Sequence, residues 1–337
     1  MKRIDYIDTA KGIATILVIL GHLSVTPKII VNSLYTFHIP LFFLLSGFVL
    51  NLDKFSSYKL FILDKIKKII LPYFFLSFFT WLWIYGVRQF PLQITDSALR
   101  NLAGIFICAK DTPYYLTLWF IVSLFFAQLL LFICYRLNHG CYMIVKLFIC
   151  FCVAVLISKI YHPGWIWALD TVPMATFFVG CGFLMKNYKE SILKYLHCKY
   201  LFILIPILTI FGYLNFAYHG RQDLFYQNIG NPLFYLLTAF TGIWSALIIS
   251  KVFEKQKVLK YIGKNSLVFY AFHRPIFVPI AMLIVNILNE TKIEIFSLEI
   301  IQTMICLFII CFGSAFVSEI IKRFFPFVIG KSKKTQA

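Results

Sequence analysis

Ten apolar runs follow one another along the chain, and each is long enough to cross the hydrocarbon of a bilayer as a helix. They cover residues 10–27, 34–52, 69–88, 115–136, 142–160, 167–185, 199–218, 232–251, 265–288 and 298–321. Backbone in lipid must satisfy its own hydrogen bonds, which leaves helices or closed barrels; runs of this length are helices. Composition agrees. Of 337 residues, 61 % are hydrophobic and 14 % charged, against about 45–50 % and about 25 % in soluble domains. The expected fold is all-α, a polytopic membrane protein with about ten transmembrane helices and both termini cytoplasmic. One domain is expected over 1–337, with a helical core from about 5 to 325 and a basic cytoplasmic tail over 326–337.

The 32 basic and 14 acidic residues give a formal net charge of +18. In a soluble chain this would suggest nucleic acid. Here the basic residues lie in short segments between the apolar runs, so no nucleic-acid partner is expected. With the N-terminus inside, 24 of the 32 fall in cytoplasmic segments and seven in external ones, while Arg274 lies within a run. That is a positive-inside bias, and it suits a multi-pass protein of the cell (plasma or inner) membrane. The nine cysteines form no CxxC pair and sit mostly within or beside apolar runs. They read as small buried hydrophobes, and no metal site is expected. No cleavable signal peptide is evident, because the first run leads into the second without an A-x-A-like site. The longest connection, about Arg88 to Tyr114, is external, and such loops tend to carry function.

An ionisable side chain inside a span costs a few kcal/mol or more and is a functional candidate for that reason. The first run carries Asp8 and Lys11 near its cytoplasmic end and His22 near mid-membrane. Eleven residues at 100° each end only about 20° past three turns, so Lys11 and His22 share a face about 16 Å apart along the axis. Asp8, three residues before Lys11, can pair with it across a turn. The plainer reading is a snorkelling lysine and a histidine satisfied by a neighbouring helix. In the second run, Pro40 frees backbone groups while Ser46 and Gly47 permit close approach. His38 either joins a site there or is merely interfacial. Lys65 and Lys68, spaced i, i+3, project together on a helix and suit an anion such as phosphate, unless they serve only the charge bias. Trp119 opens the fourth run as an interfacial aromatic. In the ninth, Ser266 and His273 share a face with Tyr270 between them in sequence. Arg274 cannot shed its charge, so His273-Arg274 is either a site or a packed polar cluster without chemistry.

Together these segments resemble the acyltransferase 3 family of integral membrane acyltransferases, most closely its fucose 4-O-acetylase-like branch. The resembling pieces run from Arg3-Ile4-Asp5-Tyr6 through Lys11 to Gly21-His22, then Phe37-His38-Ile39-Pro40 to Ser46-Gly47-Phe48. Lys65-x-x-Lys68 with Pro72-Tyr73, then Leu118-Trp119-Phe120 and Ser266, Tyr270 and His273, continue it in family order. The family's first motif is a basic residue, ten residues, then His; Lys11 and His22 fit it, with Lys where many members have Arg. Its paired arginines after the second helix are here Lys65 and Lys68, which bind phosphate as point charges rather than bidentately. The resemblance implies a ten-helix enzyme moving an acyl group, usually acetyl from acetyl-CoA, onto a hydroxyl of a cell-surface glycan or its lipid-linked precursor.

The expected function is therefore membrane-bound O-acetyl transfer in polysaccharide modification. The expected catalytic residues are His22, Lys11 and Asp8; Lys65 and Lys68 bind the donor. His38, Ser46, Trp119, Ser266, Tyr270, His273 and Arg274 form or support the substrate pocket. No bound cofactor is expected, since acetyl-CoA or another acyl-CoA is a substrate. The glycan or lipid-linked sugar and membrane lipid are the remaining partners, and a homodimer is compatible with the sequence. The alternative is a transporter or flippase for a polar or lipid-linked sugar, which also needs polar groups at mid-membrane. Against it stand the absence of repeated halves and of matching Gly/Pro-broken helices.

Overall fold

The computed structural model describes residues 5–87, 97–108, 110, 118–160, 164–291 and 293–330. Arg3, Ile4, much of the Arg88–Tyr114 connection, Lys292 and the tail beyond Gly330 lie outside the described residues. All regular elements among the described residues are helical, as expected. In chain order they are α1 (Asp5–Gly21), α2 (Lys28–Phe48), α3 (Tyr58–Gly86), α4 (Ala98–Ile107), α5 (Trp119–Arg136) and α6 (Met143–Ile160). Then come α7 (Ile166–Leu193), α8 (Cys198–His219), α9 (Pro232–Val252), α10 (Lys257–Lys264), α11 (Ser266–Glu290) and α12 (Glu299–Phe324).

Nine of these are long and apolar enough to cross a membrane. They correspond to the second to tenth runs. The first is met by α1, whose 17 residues sit at the lower end of the spanning range. At 1.5 Å per residue α1 is about 25 Å long.

Its placement corrects one expectation. The helix begins at Asp5, with Asp5 and Asp8 in the first turn where the macrodipole favours carboxylates. It ends at Gly21 instead of reaching residue 27. His22 therefore stands just past the end of the helix. The Arg88–Tyr114 connection also differs, because its middle forms α4. Tyr73 Oη donates to the Ile105 carbonyl (2.7 Å) and Trp81 Nε1 to that of Ala98 (2.9 Å), tying α4 to α3. The tail starts later than expected: Pro326–Ile329 forms a turn with Val328 buried and Phe327 against Phe75 of α3. Two cysteines, Cys141 and Cys198, are exposed at helix connections instead of buried.

Burial separates centre from periphery. The apolar window of α2 is 67 % buried and that of α8 only 11 %. α2, α5, α7 and α9 form the interior; α6, α8 and α12 turn most of their surface to the hydrocarbon.

Two glycine crossings lock the centre. A methyl group at Gly12 would lie 2.1 Å from the Leu259 carbonyl oxygen, and one at Gly263 would lie 1.8 Å from that of Asp8. α1 and α10 thus touch backbone to backbone. Gly47 of α2 and Gly182 of α7 do the same against Val179 and Leu44. Such small-residue contacts replace the hydrophobic driving force that lipid removes.

Cysteines introduced at Lys257 and Lys189, both exposed, should be labelled from the cytoplasm, and one at Glu290 from the outside. Labelling of all three from one side would contradict the orientation that the charge bias implies.

Candidate functional site

Where α1 gives way to α2, the chain encloses a cavity of about 930 Å³. The end of α1, the first half of α2, the starts of α5 and of the connection after α8, and Tyr270 and Arg274 of α11 line it. Its polar residues include His22, Lys28, Asn32, Tyr35, His38, Arg221, Asp223, Asn228 and Arg274.

Three histidines meet here. His38 is buried, and its Nδ1 lies 2.6 Å from the Leu34 carbonyl. A carbonyl only accepts, so Nδ1 carries the proton and Nε2 keeps its lone pair. His273 is fixed in the same way, its Nδ1 lying 2.8 Å from the Tyr270 carbonyl and 3.2 Å from that of Phe269. Its Nε2 is buried and has no hydrogen-bond partner. The ring of His273 is centred 5.2 Å from that of His22. His22 differs from both, because neither of its nitrogens is held by a backbone carbonyl. It lines the cavity with its ring free to bond a ligand.

Around them, Tyr35 packs edge-on against His38 at 4.9 Å and donates its hydroxyl to the Gly21 carbonyl (3.2 Å). The Arg221 guanidinium lies over the Tyr35 ring at 4.4 Å, a cation–π contact.

The α8–α9 connection forms one wall and is tightly built. Asp223 and Asn228 exchange backbone hydrogen bonds of 2.8 and 3.1 Å, and Asp223 Oδ1 accepts from the Phe225 N–H (2.9 Å). Its Oδ2 faces Arg221 at 3.4 Å. Burial pushes the Asp223 carboxyl above the usual carboxylate range, against the pull of Phe225 N–H and Arg221. Asn215, buried in α8, clamps the connection from below through the Ile229 carbonyl and the Asn231 N–H.

Behind this wall lies a buried ion pair. Lys110 Nζ is 2.5 Å from Asp170 Oδ2, both side chains are 1 % exposed, and the same amine donates to the Phe225 carbonyl at 3.0 Å. Burial lowers the Lys110 amine and Asp170 counteracts it. Asp170 sits in the opening turn of α7, just after Trp167 and Ala168, whose φ angles of 58° and 50° are left-handed without being glycine. Such backbone costs of order 1–3 kcal/mol per residue and persists only where surroundings enforce it. Here they do: Ala168 is fully buried, and Thr171 donates to its carbonyl (2.7 Å) and bonds Ser123 of α5 (2.6 Å).

The expected residues divide into two groups. His22, His38, Trp119, Tyr270 and Arg274 line the cavity, and His273 backs it. His38 is thus buried at the cavity wall. Trp119 packs on Phe225 at 5.8 Å. The remaining residues lie elsewhere. Asp8 is buried and Lys11 half-buried beside the α1–α10 crossing, about 16 Å from the His22 end of the helix. Ser46 donates to the Phe42 carbonyl (2.8 Å), and Ser266 starts α11 away from the cavity.

Lys65 and Lys68 take different partners, because a π-turn over Ile66–Ile70 follows Lys65. Lys65 is buried with its amine over the rings of Phe61 (5.3 Å) and Phe55 (6.0 Å). Lys68 is exposed and paired with Asp64 at 2.5 Å.

Tyr35, Arg221, Asp223, Lys110 and Asp170 were not legible as site residues. Tyr35 stands one turn before His38 on the same face, which was a usable signal. For Lys110 and Asp170, sixty positions apart, none existed.

A family model described as an acyltransferase domain matches residues 4–321. The chain belongs to the acyltransferase 3 family. Neither the curated proteins nor the solved structures gave a match. Membership makes the chain a multi-pass membrane acyltransferase, and the cavity is the place among the described residues where such chemistry has both room and bases.

Proposed function

We propose that this acyltransferase moves an acetyl group from acetyl-CoA to a sugar hydroxyl of a cell-surface polysaccharide or its lipid-linked precursor, in the manner of the fucose 4-O-acetylase-like branch, at the plasma (inner) membrane. The observation that carries the proposal is His22, a histidine lining a 930 Å³ cavity with no backbone carbonyl holding its ring.

In this reading His22 takes the proton from the acceptor hydroxyl while that oxygen attacks the thioester carbonyl. The new C–O bond forms, the C–S bond breaks, and the leaving thiolate recovers the proton from His22. General base catalysis of this kind supplies about 10²–10⁴-fold. His273 presents a buried lone pair beside the His22 ring and acts as a positioning residue. Lys11, with Asp8 near it in the first turns of α1, serves the donor arm.

The donor is anionic, and its phosphates fit the lysine-rich end of α3. A hydrogen bond to a charged group contributes about 1.5–3 kcal/mol. Lys65→Ala and Lys68→Ala should therefore each raise the KM for acetyl-CoA about tenfold, while Lys54→Ala changes little. Small and equal effects at all three positions would leave this segment as a topology signal alone. The function itself is tested by glycan mass analysis of cells with and without the protein. Loss of one acetyl unit per repeat supports the reading; unchanged glycans would overturn it.

A further inference from the structure

The cavity is charged unevenly. Lys28, Arg221 and Arg274 line it against one carboxylate, Asp223. That carboxylate is already engaged by the Phe225 N–H and by Arg221. Among the described residues, neither Arg274 nor Lys28 has a carboxylate within ion-pair distance. Arg274 is exposed at the cavity wall, so its guanidinium is open to an anionic ligand, with which it can form charge-assisted hydrogen bonds.

Arg274 lies on the turn that also carries His273. It follows His273 directly in the π-turn His273–Phe277, so the residue behind His22 and the cation in front of it come from adjacent positions. Arg221 is held over Tyr35 on the facing wall. Asn32, Asp223 and Asn228 can accept from the hydroxyls of a sugar, whereas the two arginines only donate and so suit a group that only accepts. A planar anionic group is what two guanidinium forks recognise.

We propose that the acceptor bound in this cavity carries an anionic oxygen group, a carboxylate or a phosphate, close to the hydroxyl that is acylated, and that Arg274 with Arg221 binds that group. The inference rests on the acyl-transfer reading only for the word acceptor; the anion site itself stands on the cavity. Its two sources are a sugar that is itself a uronic acid and a sugar attached through phosphate to a lipid carrier.

Binding of three probes to the full-length protein in phosphatidylcholine nanodiscs, without acyl-CoA, tests it by calorimetry. The probes are methyl glucuronide, glucose 1-phosphate and methyl glucoside. At least one anionic probe should bind tenfold or more tighter than methyl glucoside, the scale of one charge-assisted hydrogen bond. Tighter binding of the glucuronide assigns the carboxylate, and tighter binding of the sugar phosphate assigns the phosphate. Arg274→Gln should remove the preference and Arg274→Lys should keep part of it. Equal binding of all three probes, or a preference that Arg274→Gln leaves intact, would overturn the proposal. Competitive displacement of the anionic probe by acetyl-CoA would overturn it too, since the cations would then hold donor phosphates. Failure of the acyl-transfer reading shows elsewhere, as a lack of acetyl transfer to any acceptor.

Discussion

His22→Ala lowers acyl transfer by about 100-fold or more, the usual scale for loss of a general base, while leaving a correctly inserted protein. The two halves of this expectation have separate reasons. His22 lies outside α1, its ring makes no hydrogen bond to the backbone, and it contributes that ring to the cavity wall. Removing it deletes no packing from either glycine crossing. Removing a polar group near lipid also makes insertion easier. The chemistry, in contrast, loses the one cavity histidine whose ring is not tied to a carbonyl. His38→Ala should cost less in transfer, because its ring is committed to the Leu34 carbonyl. Lys11→Arg should retain most activity and Lys11→Ala should not, since the charge near the start of α1 matters in this reading and the fork does not.

The second large effect is on stability. Lys110→Met should destabilise the protein by about 3–5 kcal/mol, because it leaves Asp170 charged, buried and without its partner. One oxygen of that carboxylate, Oδ1, has no hydrogen-bond partner even with Lys110 in place. The double variant Lys110→Met with Asp170→Leu should recover much of the loss, as apolar replacements of buried pairs commonly do. It should not recover activity. The Lys110 amine also holds the Phe225 carbonyl and so fixes the Asp223–Asn228 wall of the cavity. Thermal unfolding in detergent separates the two outcomes from acyl transfer measured on the same samples. A double variant as unstable as Lys110→Met would mean that the pair stabilises through more than mutual neutralisation.

The helices were legible because lipid enforces one rule along the whole chain: an apolar run of sufficient length becomes a helix. α5, α6 and α9 follow from that rule within a few residues. α1 starts five residues before its apolar run, because its polar first turns, Asp5 to Lys11, look like a loop by hydropathy. They are stabilised instead by the backbone contacts of Gly12 and Gly263, which only the folded structure reveals.

The site was half legible for a related reason. His22, His38, His273 and Arg274 announce themselves, since each is an ionisable group in an apolar run. Arg221 and Asp223 lie in a connection where charge is ordinary, so nothing local distinguishes them. Lys110 and Asp170 acquire meaning only when the start of α7 and the chain just after α4 come together. Lys65 and Lys68 show the reverse case. Their i, i+3 spacing suggested a joint grip, but a π-turn and the neighbouring Asp64 give them separate settings.

The central claim is that acyl transfer runs through His22 in this cavity. The direct measurement is transfer of labelled acetyl from acetyl-CoA to glycan in membranes holding matched amounts of the native protein, His22→Ala, His38→Ala and His273→Ala. The account predicts near-complete loss for His22→Ala, a smaller loss for His273→Ala through the orientation of His22, and the smallest for His38→Ala. Near-normal transfer by His22→Ala would contradict it and give the role of base to another residue.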